Sequence, residues 1–310
     1  MLAPMQGLTN RAMRDLVIDW ARPDVVFTEF MRVNPVAAVK RLAAADLRDI
    51  APDQGGVPLV VQLIGHGVES LASAASAATA AGAAHLNLNL GCPYGRMTTG
   101  LTGGGILRQP EILQELIPTL RRSVAGTFSV KLRAGYEDPR QIFSLLPLFE
   151  ESGVDFLVLH PRTVVQEYTG RADHGITAAV VKQTSLPIIA NGDIRTAADG
   201  QRVLEETGAA GLMLGRGAIA DPLLFQRLRG HCAAQPDRAE RGRQLGRYLF
   251  DLLQRYSRLF HGDSQILSKV KGVLATMDDP DFVREIKLLR KAGNRSAFCT
   301  ILEQLGGLDA

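Results

Sequence analysis

Three cysteines in 310 residues, Cys92, Cys232 and Cys299, are too few for a disulfide framework, and they lack the paired close spacing of a zinc site. No metal is therefore expected. The chain has no run of about 20 apolar residues, so no membrane span is expected. The opening Met1-Leu2-Ala3-Pro4-Met5-Gln6-Gly7 has neither a basic leader nor the apolar stretch of a signal peptide, which points to a reducing, cytoplasmic setting. Net charge is only +3, which by itself neither requires nor forbids a polyanionic partner. A Gly-x-Gly-x-x-Gly turn after the first apolar run is also missing, which argues against a doubly wound dinucleotide fold.

What is present is ordinary globular composition, 46% hydrophobic and 22% charged, with length for a large core. Eight short apolar runs recur through the first two thirds: 2–5, 25–28, 59–63, 85–89, 129–132, 156–159, 187–190 and 211–214. Each is followed by polar or glycine punctuation and then by helical periodicity, near 9–20, 33–45, 68–82, 110–124, 139–152, 175–184, 196–208 and 221–229. Thr9, Thr196 and Asp221-Pro222 have the character of helix starts. Eight alternating units over about 230 residues predict a (β/α)₈ TIM barrel, an α/β fold. After Gly230 the pattern changes to a linker at roughly 231–238 and then to helix throughout. The expected organisation is a barrel over 1–230 and a small all-helical domain over 239–310.

In such a barrel the chemistry collects at the carboxyl ends of the strands. Here those ends carry Gln6, Glu29, Gln62, Asn89 with Cys92, Lys131 with Arg133, His160, Asn191 and Arg216. Eight polar ends on one rim suit a large polar ligand. Asn191-Gly192-Asp193 and Gly215-Arg216-Gly217 follow the last two strands, the usual place for a phosphate cradle in which backbone N–H groups approach the oxygens. Lys131 would lie over the mouth, where a buried cation without a partner is costly, so an anionic ligand or a carboxylate neighbour is expected, and a reduced flavin would meet that demand.

These residues, in this order, resemble the FMN-dependent tRNA-dihydrouridine synthases over nearly the whole length. The matching pieces are Ala3-Pro4-Met5-Gln6-Gly7, Thr28-Glu29-Phe30, Val61-Gln62-Leu63, Asn89-Leu90-Gly91-Cys92-Pro93, Gly103-Gly104-Gly105, Ser129-Val130-Lys131-Leu132-Arg133, His160-Pro161-Arg162-Thr163, Asn191-Gly192-Asp193 and Gly215-Arg216-Gly217. The resemblance implies that Pro4, Met5, Gln6, Gln62, Lys131, His160, Asn191, Gly192, Asp193, Gly215 and Arg216 bind FMN. It implies that NADPH or NADH reduces the flavin, that hydride then passes to carbon 6 of a tRNA uridine, and that Cys92 protonates carbon 5. A thiol, with its ordinary pKa near ~8.5, stays protonated at neutral pH and suits an acid rather than a nucleophile.

The partner implied is tRNA, with the protein acting as a monomer. Asn89 and Arg133 would face the target base, and Lys269 and Lys271 in the basic tail would meet RNA phosphates. Glu29-Phe30-Met31-Arg32-Val33 resembles the bacterial subfamily acting on uridine 16 of the D-loop, with Arg32 as its RNA contact. Asn87 stands where that family usually has Asp, and Gly95-Arg96 where it commonly places a lysine. The rival readings are a flavin barrel acting on a free small molecule, similar to dihydroorotate dehydrogenases, a tRNA-binding protein without catalysis, and a barrel lyase or isomerase using Lys131 as a Schiff base.

Overall fold

The computed structural model describes residues 1–36, 41–94, 100–277 and 279–306. Its centre is a parallel sheet with strand order β1 (Val26–Phe27), β4 (Val57–Ile64), β5 (His85–Leu90), β6 (Thr127–Arg133), β7 (Phe156–His160), β8 (Ile188–Asn191) and β9 (Gly211–Met213). Leu2 bridges in parallel to Val26 on one edge and to Leu214 on the other, which closes the sheet into a barrel. The first expected strand thus pairs only around Leu2, because Met5 already turns into the loop whose backbone Thr9 holds. Two short additions complete the sheet. β2 (Met31–Arg32) runs parallel to the end of β4, and β3 (Asp53–Gln54) pairs antiparallel with its start.

Alternation along each strand decides what the barrel contains. Leu86, Leu88, Leu90, Val130, Leu132, Leu157 and Leu159 turn outward into the core shared with the helices. Their neighbours turn inward. Ala3, Phe27, Val60, Val158, Ile189 and Met213 form a separate apolar plug, and above it the register sets Gln62 beside Asn87, Asn87 beside Ser129, Asn89 beside Lys131 and Arg133 beside His160.

The surrounding helices are α1 (Arg11–Ala21), α2 (Ala44–Leu47), α3 (Val68–Ala80), α4 (Leu113–Ser123), α5 (Gln141–Glu151), α6 (His174–Gln183), α7 (Ala197–Thr207), α8 (Arg216–Ala220) and α9 (Leu224–Leu228). Thr196 caps α7 in a reciprocal box with Asp199, as expected. At α1 the cap is Asn10, whose side chain accepts from Met13 N, because the Thr9 hydroxyl is already committed to Met5 N. Of the helix expected over 33–45, only the end is helical among the described residues, in Ala44–Leu47, and 37–40 lie outside the described residues. Pro35 disfavours helical geometry at Asn34, and Asn34 N instead bonds Arg41 O across a loop.

Past an irregular stretch at 231–237, α10 (Arg238–Leu259), α11 (Asp263–Leu274), α12 (Val283–Lys291) and α13 (Arg295–Gly306) form the helical region. Tyr248, Leu249 and Leu252 of α10 belong to the same buried cluster as Met13, Leu16 and Val17 of α1. Trp20 packs edge-on to Tyr248 at 5.7 Å, its indole N–H donates to Asp251 at 3.2 Å, and Arg255 pairs with Asp19 at 2.7 Å. Barrel and helical region are therefore distinct along the chain but share one core.

Candidate active site at the barrel mouth

A cavity of about 930 Å³ opens at the carboxyl ends of the strands. It is lined by Pro4, Met5, Gln6, Arg32, Asn89, Cys92, Lys131, Arg133, His160, Asn191, Gly192, Asp193, Gly215 and Arg216, and by Ala275, Thr276 and Met277 from the helical region. The rim residues expected from sequence are thus brought together, except that Glu29 and Gln62 do not line the cavity, and the two lysines expected to meet RNA lie elsewhere. Gln62 lies fully buried behind Asn89, while Lys269 and Lys271 lie outside the cavity wall. Lys269 stands 5.4 Å from the Phe260 ring centroid, and Lys271 Nζ donates to Ala292 O at 2.6 Å, at the end of α12. Gly95 and Arg96 lie outside the described residues.

Cys92 follows β5 in a loop held from both sides. Asn89 Oδ1 accepts from the backbone N–H groups of Gly91 and Cys92 at 2.9 and 3.0 Å, and Cys92 O accepts from Gly104 N at 3.1 Å. A Cβ on Gly104 would lie 2.9 Å from Cys92 O and 2.7 Å from Val164, so only glycine lets the two loops meet. Burial pushes the Cys92 thiol up, outweighing the Tyr94 backbone N–H and the Arg133, Lys131 and Arg32 cations that favour the thiolate. The group is a thiol at neutral pH.

Lys131 has no hydrogen-bond acceptor within reach among the described residues. Burial above all, with Arg133 adding to it, lowers its ammonium from 10.5 to about 8. It remains mostly charged at pH 7 and lacks a counter-ion. His160 is nearly buried, and burial together with Lys131 and the neighbouring guanidinium groups holds it well below the usual imidazole range. It is neutral, and its Nε2 accepts from Arg162 NH1 at 3.0 Å, which leaves the proton on Nδ1.

Arg162 was not singled out from sequence, yet it organises this wall. It bonds His160, the carbonyls of Thr169 and Gly170, and Asp193 at 2.7 Å, while only 3% of its side chain is exposed. Burial favours the neutral acid at Asp193, but the Ala172 N–H and the Arg162 and Arg216 guanidinium groups together hold its carboxyl below the ordinary range. Asn191 donates to Met213 O at 2.8 Å, and His174 bonds Gly192 O at 3.0 Å. A Cβ on Gly192 would sit 2.8 Å from the His160 ring, and one on Gly217 2.3 Å from Ile194 O. Gly192 therefore lets its backbone pass against the His160 ring, and Gly217 lets its backbone approach that of Ile194 and Arg195. Asn191 and Arg162 were readable as polar residues near strand ends; what was not readable is that Arg162 folds back through the 162–170 loop.

Arg133 is spent largely on structure. It donates to Gly91 O, Thr163 O and Glu167 O at 2.9, 2.8 and 2.6 Å, fixing the Cys92 loop to the loop after β7. Tyr168, also missed from sequence, stands half exposed at the rim with the Arg133 and Arg216 guanidinium carbons 5.3 and 5.1 Å from its ring centroid. The rim thus joins one carboxylate to several cations and an exposed ring, which suits an anionic, planar ligand. Among the described residues no cluster of three or more His, Cys, Asp or Glu could hold a metal ion.

A closed parallel barrel with a basic cavity, a neutral histidine and a protonated thiol at its carboxyl mouth defines a barrel enzyme for a polar, anionic ligand. Solved structures of similar fold include morphinone reductase in complex with tetrahydroNAD, with TM-score 0.54 and 16% identity over 77% of this chain and 89% of that one. Another is the old yellow enzyme homologue from Zymomonas mobilis, with TM-score 0.56 and 15% identity over 78% and 90%. The family profile described as Dihydrouridine synthase (Dus) matches residues 1–300, and the chain belongs to that family. It is 36% identical over 228 residues to a probable tRNA-dihydrouridine synthase of Rhodobacter capsulatus, covering 72% of this chain and 68% of the relative. It is 34% identical over 242 residues to the tRNA-dihydrouridine(16) synthase of Haemophilus influenzae, covering 76% and 78%.

Proposed function

We propose that the protein reduces the 5,6 double bond of a D-loop uridine in tRNA to dihydrouridine, with FMN as its cofactor, NADPH as reductant and position 16 as its site. The observation that carries this reading is a protonated Cys92 thiol on the same cavity wall as an unpaired Lys131 cation. The cavity fits a flavin mononucleotide on the chemistry of its donors. Lys131 lacks an acceptor, and Gly192, Gly215 and Gly217 line the cavity beside the Arg216 guanidinium. Bound there, the flavin would supply the hydride for uracil carbon 6.

The chain's own residues do the rest. Pro4, Met5 and Gln6 would line the ring, Lys131 would face its anionic side, and neutral His160 would offer its Nδ1–H. Asn191, Gly192, Asp193, Gly215 and Arg216 would hold the ribityl phosphate end. Gln62, buried behind the cavity wall, would support this floor through Asn89 rather than touch the ligand. Cys92 would deliver its proton to carbon 5, a general-acid contribution of typically ~10²–10⁴-fold.

A uridine must leave its stack to reach this depth, so binding energy must come from the rest of the RNA. Arg32, Asn89, Arg133 and exposed Tyr168 would receive the base. The helical region 239–310 would recognise the tRNA body, with Lys269, and Lys271 if released from its helix end, as phosphate contacts. The subfamily reading is supported by relatives named for position 16, although others of similar identity, such as that of Vibrio cholerae at 33%, are named tRNA-dihydrouridine synthase B. Among the described residues no helix is long and apolar enough to cross a membrane.

The test is to incubate purified protein with FMN, NADPH and tRNA lacking dihydrouridine, and to map the product. Dihydrouridine at position 16 is expected. A protein that takes up no flavin, or that reduces only free pyrimidines, would overturn the proposal, and modification elsewhere in the D-loop would overturn the position.

A further inference from the structure

We infer that Asn87 is a positioning residue of the reaction proposed above, supplying the inner acceptor that anchors a buried hydrogen-bond chain ending on the backbone of Cys92. The direction of that chain follows from one end. The Gly91 and Cys92 N–H groups can only donate, so Asn89 must turn its oxygen toward them. Its Nδ2 then faces Gln62 and donates to Oε1 at 2.8 Å. Gln62 is left with its own Nε2 pointing inward, and Asn87 Oδ1 accepts it at 2.8 Å. Asn87 Nδ2 in turn donates to Ser129 Oγ at 2.8 Å, and that hydroxyl reaches Leu86 O at 3.4 Å.

Gln62, Asn87 and Ser129 are at most 1% exposed, so solvent does not offer a ready substitute for a missing member. Each amide in the row is therefore held to one orientation by the next. Whatever stands at position 87 must offer an acceptor to Gln62. An amide does so, and so does a carboxyl, which as carboxylate accepts from both Gln62 and Ser129, and as neutral acid accepts from one and donates to the other. This accounts for a neutral residue at 87 where the family resemblance leads one to expect Asp: the acceptor, not the charge, is what the row requires.

An aliphatic residue removes that acceptor. Gln62 is then left with a buried donor that has no acceptor, and any shift that relieves it gives up the bond to Asn89 and loosens the support behind the Cys92 loop. Asn87→Leu, and Asn87→Val with its smaller volume where Leu does not fold, are expected to lower kcat for dihydrouridine formation by tenfold or more, toward the ~10²-fold cost of a 1 Å misplacement. The Kd for tRNA should stay within about twofold. In the same variants iodoacetamide should alkylate the Cys92 peptide severalfold faster than in the parent, read by mass spectrometry on protein without tRNA. Asn87→Asp should restore both readouts.

Parent-like kcat and parent-like Cys92 alkylation in Asn87→Leu or Asn87→Val would overturn the inference. So would Asn87→Asp failing as fully as the aliphatic variants. If the parent itself forms no dihydrouridine, the functional proposal fails, while the alkylation comparison still decides whether Asn87 holds the loop.

Discussion

Lys131→Met removes a half-buried cation that the described residues leave without a counter-ion. Lowering its ammonium from 10.5 to about 8 corresponds to roughly 3 kcal/mol against the charged form. In flavin-free protein at pH 7 the variant should therefore be more stable than the parent, by up to about 3 kcal/mol. At ~2 °C per kcal/mol for a chain of this size, its midpoint should rise by up to about 6 °C. The sign with pH is fixed. The folded-state value lies below the unfolded one, so between about 8 and 10.5 the unfolded chain binds more protons and parental stability rises with pH through this group. At pH 9.5 the advantage of the variant should shrink to ~1 kcal/mol.

With flavin the order should reverse. Losing a charge-assisted bond worth ~1.5–3 kcal/mol should weaken cofactor affinity by roughly 10–100-fold. Scanning calorimetry of flavin-free proteins at the two pH values, with fluorescence titration of FMN, measures both effects. A variant that melts below the parent at pH 7 without flavin would refute the reasoning, because it would mean that Lys131 has a partner in the folded chain.

Gly217→Ala places a Cβ 2.3 Å from Ile194 O and should cost about 1–3 kcal/mol in urea unfolding, with weaker FMN binding; parental stability would remove the steric argument. Arg162→Met strips Asp193 and His160 of their shared partner and should cost about 3 kcal/mol at neutral pH. Because the carboxyl of Asp193 is held below its unfolded value, that stabilisation is present above the ordinary carboxylate range and lost as pH falls through the folded value, so the gap between parent and variant should close in acid. A gap that stays constant in acid would rule out the ion pair as its source. Lys269→Ala should weaken tRNA binding and reduce its salt slope by about 1, whereas unchanged affinity across salt would take Lys269 out of the interface.

The strands were legible because a parallel strand is a run of β-branched and aliphatic residues ended by glycine or a polar group, and that signal needs no long-range information. Polar residues on the inward face of β5 and β6 were legible for the same reason: Asn87, Asn89 and Lys131 interrupt outward leucines and valine at period two. Other features depend on distant segments. Leu2 counts as a strand only because it touches both Val26 and Leu214. Arg162 acquires its role when the loop after β7 brings Thr169 and Gly170 back to it, and Tyr168 when Arg133 and Arg216 converge on its ring. Lys271 shows the limit from the other side, since a basic helix face reads alike whether a lysine meets solvent, RNA or, as here, the last carbonyls of a neighbouring helix.

The central claim is that Cys92, held as a thiol at the cavity wall, is the acid of the reaction. Its most direct test is dihydrouridine formation on unmodified tRNA by Cys92→Ala, measured beside FMN content and the rate at which NADPH bleaches the bound flavin. The account predicts a variant that keeps its flavin and its reduction by NADPH while dihydrouridine formation falls by ~10²-fold or more. Parental turnover on tRNA by the alanine variant would contradict it.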